Sequence, residues 1–223
     1  MTNDQSKIIE ELKFEFSVLR DMKRFTTSEV RKISAKTFKK LPKDQHRVLD
    51  LCEKLLELRI WEMTITAFDW AYRMRKDYDE STFEVFEDWM HRFIVDWWDC
   101  DDFCTHAFGE LMIKYPQLLS QIFKWCESDN FAIRRCAAVI LILPIKRKVE
   151  LTIDPFEICN RLKNDPHYLV LKGYGWMLKV LSSMEYDEVL NYLELNQSAM
   201  PRIAFRYALE KMKPSDRRKL MNQ

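Results

Sequence analysis

Three glycines in 223 residues are the strongest constraint on what this chain can fold into. Glycine supplies the left-handed backbone of tight hairpins and of phosphate-cradling loops, and an ordinary protein devotes about 7% of its residues to it. A loop-rich β-sandwich and a glycine-rich nucleotide fold are therefore excluded. The seven prolines are also few, which argues against a disordered tail. A composition of 47% apolar and 32% charged residues, with a net charge of +1, leaves long amphipathic helices with solvated outer faces and a sizeable core.

The apolar positions bear this out. Val48, Leu51, Cys52, Leu55 and Leu56 follow i, i+3, i+4, i+7, i+8, and Met200, Ile203, Ala204, Tyr207 and Ala208 repeat the pattern, while no stretch alternates as a strand. Thr26 with Glu29 and Ser81 with Glu84 fit the capping box, and prolines at 42, 116, 144, 155, 166, 201 and 214 punctuate the rest. The pattern predicts helices over 4–24, 27–41, 44–58, 60–76, 81–95, 99–114, 116–127, 130–143, 154–163, 166–182, 185–195 and 199–212. Short links make neighbouring helices antiparallel, and the spacing of about 35 to 40 residues per pair is close to that of HEAT-type repeats. The fold expected is all-α: an α-solenoid of about six antiparallel helix pairs with a concave face. No Gly, Ser or Pro linker interrupts it, so residues 1–223 read as a single HEAT-like repeat domain.

The six cysteines form no CxxC pair and fall mostly in apolar helical stretches, where a thiol acts as a small hydrophobe in a reduced, cytoplasmic compartment. Cys100, Cys104 and His106 make a C-x3-C-x-H cluster, but no second ligand pair has zinc spacing. Core thiols, with neither metal nor cofactor, are the expectation. The longest apolar run, Cys136 to Ile145, is too short to cross a bilayer, and the polar start from Met1 to Lys7 does not resemble a signal peptide. No membrane partner is expected. The oligomeric state is not set by the sequence, and a monomer is the working expectation.

A net charge of +1 gives no global attraction to phosphate, so the distribution of charge decides. Arg31, Lys32, Lys36, Lys39, Lys40 and Lys43 stand with no acid among them, and Lys146, Arg147 and Lys148 and Arg217, Arg218 and Lys219 form further clusters. From Asp69 to Asp102, by contrast, eleven acids face four basic residues. A basic face forms if the fold gathers the clusters; otherwise each is a solvated helix face.

Residues Ile94 to Asp102 read I-V-D-W-W-D-C-D-D, two tryptophans beside four carboxylates. Helix capping and packing account for such a run, and so does a cation-recognising site. An indole face attracts positive charge, and an aspartate four residues along can stabilise a cation or orient a water. Arg134 and Arg135 open an apolar helix against its dipole and so need a partner, either a carboxylate of the acidic segment or an external phosphate. In Gly173-Tyr174-Gly175-Trp176 each glycine lowers helix propensity by about 1 kcal/mol, which implies close approach of another helix or of a ligand. No G-x-S-x-G elbow exists and no cysteine has a convincing histidine partner, which excludes the familiar serine and cysteine hydrolases.

Four segments in order resemble the AlkD-type DNA alkylation repair glycosylases. Val30 to Leu41 is similar to the family's amino-terminal helix, and Val95 to Asp102 to its V-D-x-W-D-x-x-D stretch. Ser128 to Val139 resembles S-x-N-x-W-x-R-R-x-A-A, and Val170 to Leu178 resembles K-A-I-G-W-x-L. The likeness runs from about residue 20 to 212. Two positions depart from the pattern: Ala132 replaces the tryptophan of W-x-R-R, with Phe131 one residue earlier, and Asp101 stands where the family is usually apolar.

The resemblance implies hydrolysis of the N-glycosidic bond of cationic alkylpurines such as 7-methylguanine and 3-methyladenine in duplex DNA, without a metal. It implies Trp98 and Trp176 as aromatic walls, Asp102 as the essential carboxylate and Arg135 as the arginine near the lesion. Along the concave face, Arg134, Lys146, Arg147, Lys148, Lys172, Arg31, Lys32 and Lys36 are the residues expected to meet phosphate. The competing reading is a catalytically idle scaffold that binds a DNA structure or a protein partner.

Overall fold

The structure, a computed structural model, describes residues 3–23 and 25–221, and among these there is no strand. The chain is all-α, and among the described residues no helix is long and apolar enough to cross a membrane. It divides into two compact units, Met1–Phe93 and Ile94–Gln223.

The first unit contains α1 (Asn3–Asp21), α2 (Thr27–Phe38), α3 (Gln45–Glu57), α4 (Trp61–Arg73) and α5 (Thr82–Phe93). Thr26 caps α2 as expected, its side chain accepting from Glu29 N, and Asp44 caps α3 through Arg47 N. At α5 the cap differs from the predicted Ser81–Glu84 box. Asp79 reaches forward to accept from Thr82 N at 3.1 Å, and the Ser81 hydroxyl donates to Asp79 in place of accepting from the helix. Arg59, in the left-handed region at φ 56°, turns the chain between α3 and α4. Helix α4 packs against both α2 and α3 over a core that includes Trp70, Phe68, Phe86 and Trp89.

The second unit contains α6 (Trp97–Thr105), α7 (Ala107–Lys114), α8 (Ile122–Trp125), α9 (Phe131–Val139), α10 (Ile142–Lys146), α11 (Pro155–Leu162), α12 (Tyr168–Leu181), α13 (Tyr186–Asn196), α14 (Arg202–Ala208) and α15 (Pro214–Met221). Helix α6 packs on α9, α9 on α12, and α12 on α14, a ladder to which α7, α8, α10, α11 and α13 attach. The rungs keep a constant stride: Asp101–Arg135 and Arg135–Leu169 are each 34 residues apart and Cys100–Cys136 are 36 apart. In the first unit Ser34–Asp69 and Ser34–Trp70 are 35 and 36 apart. This is the solenoid stride that the helix spacing predicts.

Several elements depart from the sequence pattern: the helix expected over 130–143 turns at 140–141 before α10, and the one expected over 116–127 begins as a 3-10 helix at Pro116–Gln121. The single helix expected over 99–114 breaks at His106, whose backbone (φ −127°, ψ −97°) is not helical and whose Nδ1 lies 2.9 Å from the Asp102 carbonyl oxygen. Helix α15 has no apolar stripe, since only Leu220 is buried; its one sequence signal is Pro214 in the first helical position. Gly175 has a packing role. A Cβ there would stand 2.7 Å from the Ala204 carbonyl oxygen, so α12 meets α14 too closely for any side chain.

Candidate active site

The acidic run first builds a helix start. Asp96 caps α6 by accepting from Trp97 N at 2.7 Å, and the Asp99 carboxylate reaches back to Val95 N and Asp96 N and also accepts from Cys100 N. Together they make a reciprocal capping box. Asp99 is almost wholly buried, and burial pushes its carboxyl up to about 6 against the pull of these three amide donors. The cap consumes two of the four carboxylates. Two Trp-x-x-x-Asp pairs remain, Trp97 with Asp101 and Trp98 with Asp102, one residue out of phase and hence on different faces of α6.

Helices α6, α9, α12 and α14 surround a cleft of about 530 Å³ whose walls include Trp97, Asp101, Arg135, Tyr168, Lys172, Trp176, Lys179 and Tyr207. Trp97 and Tyr168 are exposed at its rim, and Trp176 and Tyr207 are half-buried. The aromatic faces already hold cations: Lys172 Nζ lies 5.1 Å from the Tyr168 ring and 5.8 Å from that of Tyr207, and Lys146 Nζ lies 5.9 Å from Trp176.

Arg135 joins three helices beneath this surface. Its Nε and Nη2 donate to Asp101 Oδ1 at 3.0 and 2.7 Å, Nη2 also to Oδ2 at 3.0 Å, and Nη1 donates to the Leu169 carbonyl at 2.5 Å. Gly173 makes room for it, since a Cβ there would stand 3.3 Å from Arg135 Cγ. Burial pushes the Asp101 carboxyl up, and Arg135 pulls in the opposite direction. The partner that Arg135 requires is thus a carboxylate of the acidic segment, and that carboxylate retains access to the cleft.

Of the residues singled out from the sequence, Arg135, Trp176 and Lys172 line the cleft. Trp98 is half-buried and is not among the lining residues, and neither is Asp102, whose Oδ1 lies 3.2 Å from His106 Nδ1. Arg134 is bound to Asp165 at 2.5 Å and to the Ser128 and Asp129 carbonyls. Lys146, Arg147 and Lys148 are exposed at the end of α10, with Arg147 paired to Glu110 at 2.6 Å. In the first unit Lys32 pairs with Glu29, Lys36 with Glu15, and Arg31 is half-buried. Sequence reasoning missed Trp97, Asp101, Tyr168, Lys179 and Tyr207. Trp97 and Asp101 carry a legible signal, the second i, i+4 pair; the others depend on how α12 meets α14. Phe131, beside the departure at Ala132, stacks on His167 with ring centroids 3.7 Å apart. Cys100 and Cys104 are buried core thiols as expected, and they cluster with Cys136 and not with His106.

A protein-family model described as "DNA alkylation repair enzyme" matches residues 22–212 of the chain. A search of curated proteins returned no match.

Proposed function

Because the chain belongs to the DNA alkylation repair enzyme family, we propose that it is a DNA glycosylase of base excision repair. Its cleft would hydrolyse the N-glycosidic bond of a cationic alkylpurine, such as 7-methylguanine or 3-methyladenine, in duplex DNA. The observation that carries this reading is a carboxylate, Asp101, fixed by Arg135 and open to a cleft walled by Trp97 and Trp176.

The chemistry needs little else. A cationic base departs as a neutral molecule, so positive charge develops on the deoxyribose and acid catalysis of departure is unnecessary. Catalysis then consists of stabilising that oxocarbenium-like sugar and placing a water against it. Asp101 supplies the negative charge and a water acceptor, and the indole faces of Trp97 and Trp176 favour the growing cation. Arg135 is a positioning residue: its contact with the carboxylate favours the ionised form that burial opposes. Lys172, Lys179 and Lys146 would meet the phosphates, whereas Lys32 and Lys36 are already held by Glu29 and Glu15. Double-stranded DNA is then the partner of a monomeric enzyme, working in the cytoplasm or at a nucleoid.

The family resemblance assigns the carboxylate to Asp102 and one wall to Trp98; the cleft favours Asp101 and Trp97. Base release from a duplex carrying one 7-methylguanine separates these assignments. Asp101→Asn should lower the single-turnover rate by about 10²–10³-fold, the effect of removing one preorganised electrostatic group, and Asp102→Asn should retain most of it. The reverse order would return the role to Asp102. If the folded wild-type chain released neither 7-methylguanine nor 3-methyladenine, the glycosylase reading would fall, leaving a scaffold that binds DNA or protein.

A further inference from the structure

Directly behind the Asp101–Arg135 pair lie three thiols. Cys100 and Cys104 stand one turn apart on α6, and Cys136 projects from α9 with its Sγ 3.3 Å from that of Cys100. All three sulfurs lie within 4.8 Å of one another, and all three residues are wholly buried. The other cysteines, Cys52, Cys126 and Cys159, are buried too, but among the described residues they form no such group.

We propose that Cys100, Cys104 and Cys136 form a three-sulfur site for trivalent arsenic. The argument rests on ligand number and on charge. Zinc in a closed site takes four ligands, and this cluster offers three. A divalent ion on three thiolates would leave a net negative charge in a space sealed from water, and the neighbouring guanidinium, Arg135, is already committed to Asp101. Trivalent arsenic is satisfied by three sulfurs and a lone pair, and its tris-thiolate is neutral. The reaction balances without an oxidant. Arsenous acid meets three thiols, three As–O and three S–H bonds break, three As–S bonds form, and three waters leave, with arsenic trivalent throughout. A filled site would tie α6 to α9 one residue from each member of the cleft's ion pair, because Cys100 precedes Asp101 and Cys136 follows Arg135.

The test uses the folded full-length chain, reduced and incubated with sodium arsenite in the absence of denaturant. Native mass spectrometry should show one arsenic per chain. Arsenic X-ray absorption should show three sulfur ligands and no oxygen, and alkylation mapping should find Cys100, Cys104 and Cys136 protected while Cys52, Cys126 and Cys159 react on unfolding. Cys104→Ala and Cys136→Ala should each abolish the three-sulfur signature, and Cys52→Ala should keep it. The mapping on wild-type protein decides the matter even where a core variant fails to fold. No uptake, protection of a different set, two sulfurs with one oxygen, or uptake only after loss of the helical circular dichroism would each overturn the proposal.

Discussion

In the first unit Asp69 of α4 accepts Ser34 Oγ of α2 at 2.5 Å and Arg73 Nε at 2.8 Å; in the second, Asp101 of α6 accepts Arg135 of α9 at 2.7 and 3.0 Å. Both carboxylates bridge helices at the same stride, 35 and 34 residues. Their surroundings differ. The Asp69 side chain is 9% exposed, and its Arg73 partner lies 5.6 Å from the Phe38 ring. The Asp101 side chain is 21% exposed and shares a cleft with Trp97, itself 49% exposed. An inter-helix carboxylate is therefore a device that the fold uses in both units. What distinguishes the second is the aromatic surface of Trp97 and Tyr168 left exposed around it, and large aromatic surface left in water is the feature that packing alone does not explain.

The largest test of this comparison removes the cation from each joint. Arg135 is nearly fully buried and donates to both Asp101 and the Leu169 carbonyl, so Arg135→Ala removes the tie among three helices, leaves a partly buried carboxylate without its cation, and should destabilise the protein by about 2–4 kcal/mol. Arg73 is about one-third exposed and Asp69 keeps Ser34, so Arg73→Ala should destabilise by about 1 kcal/mol or less. Urea unfolding of both variants measures the difference. Equal losses would mean that the two joints are the same device after all.

Acid sharpens the contrast, because the caps of α5 and α6 titrate with opposite sign. Asp99 has an ordinary value of 3.8 and a folded value of about 6. Between these the folded chain keeps a proton that the unfolded chain has lost. The stability it contributes is thus full below about pH 4 and falls as pH rises through 6, by up to about 3 kcal/mol. Asp79 is lowered, first by its hydrogen bond from Ser81, so its contribution is present above its ordinary value of 3.8 and is lost as pH falls through the folded value. Relative to wild type, Asp99→Asn should gain stability from pH 4 to 7, and Asp79→Asn should show its deficit near neutrality and lose it in acid. A parallel pH dependence for the two variants would remove the distinction.

The two glycines beside Tyr174 give a smaller effect. At Gly175 a Cβ meets the Ala204 backbone at 2.7 Å, which cannot yield without moving α14, so Gly175→Ala should cost about 1–3 kcal/mol of overpacking strain. At Gly173 the nearest atom is Arg135 Cγ at 3.3 Å, and the gain in helix propensity of about 1 kcal/mol offsets a small adjustment. Gly173→Ala should be near neutral in thermal unfolding. A loss there as large as at Gly175 would show that Arg135 cannot give way.

Much of this was legible in the sequence. Periodicity and the scarcity of glycine gave the all-α fold and its stride, because burying an apolar stripe leaves a helix few alternatives. Arg135 and Trp176 were reached through motif likeness, and the need of Arg135 for an anionic partner, carboxylate or phosphate, through its place at a helix start. The phase of α6 was not legible. Trp97 with Asp101 and Trp98 with Asp102 have identical spacing, and only the rotation of the helix, set by the Asp96–Asp99 cap and by Cys100 and Phe103 turning inward, selects the pair that faces the cleft. Tyr207 is legible only once α14 lies on α12, a contact between distant segments that no local pattern encodes.

The smallest effect is in the salt dependence of DNA binding, and here the two units divide again. Lys172 and Lys146 stand over aromatic rings at the cleft and, among the described residues, pair with no carboxylate, so each can displace counterions from a duplex. Lys36 is bound to Glu15 at 2.8 Å, which raises its pKa and already screens its charge. Fluorescence anisotropy with an undamaged duplex across a salt series measures the slope of log K against log[salt]. Lys172→Ala and Lys146→Ala should each reduce the slope by about 1, a uniform weakening without change in sequence preference, and Lys36→Ala should leave it in place. A unit change for Lys36→Ala would mean that Glu15 releases its lysine to phosphate, and the first unit would join the DNA-binding surface through a pair that the free protein keeps closed.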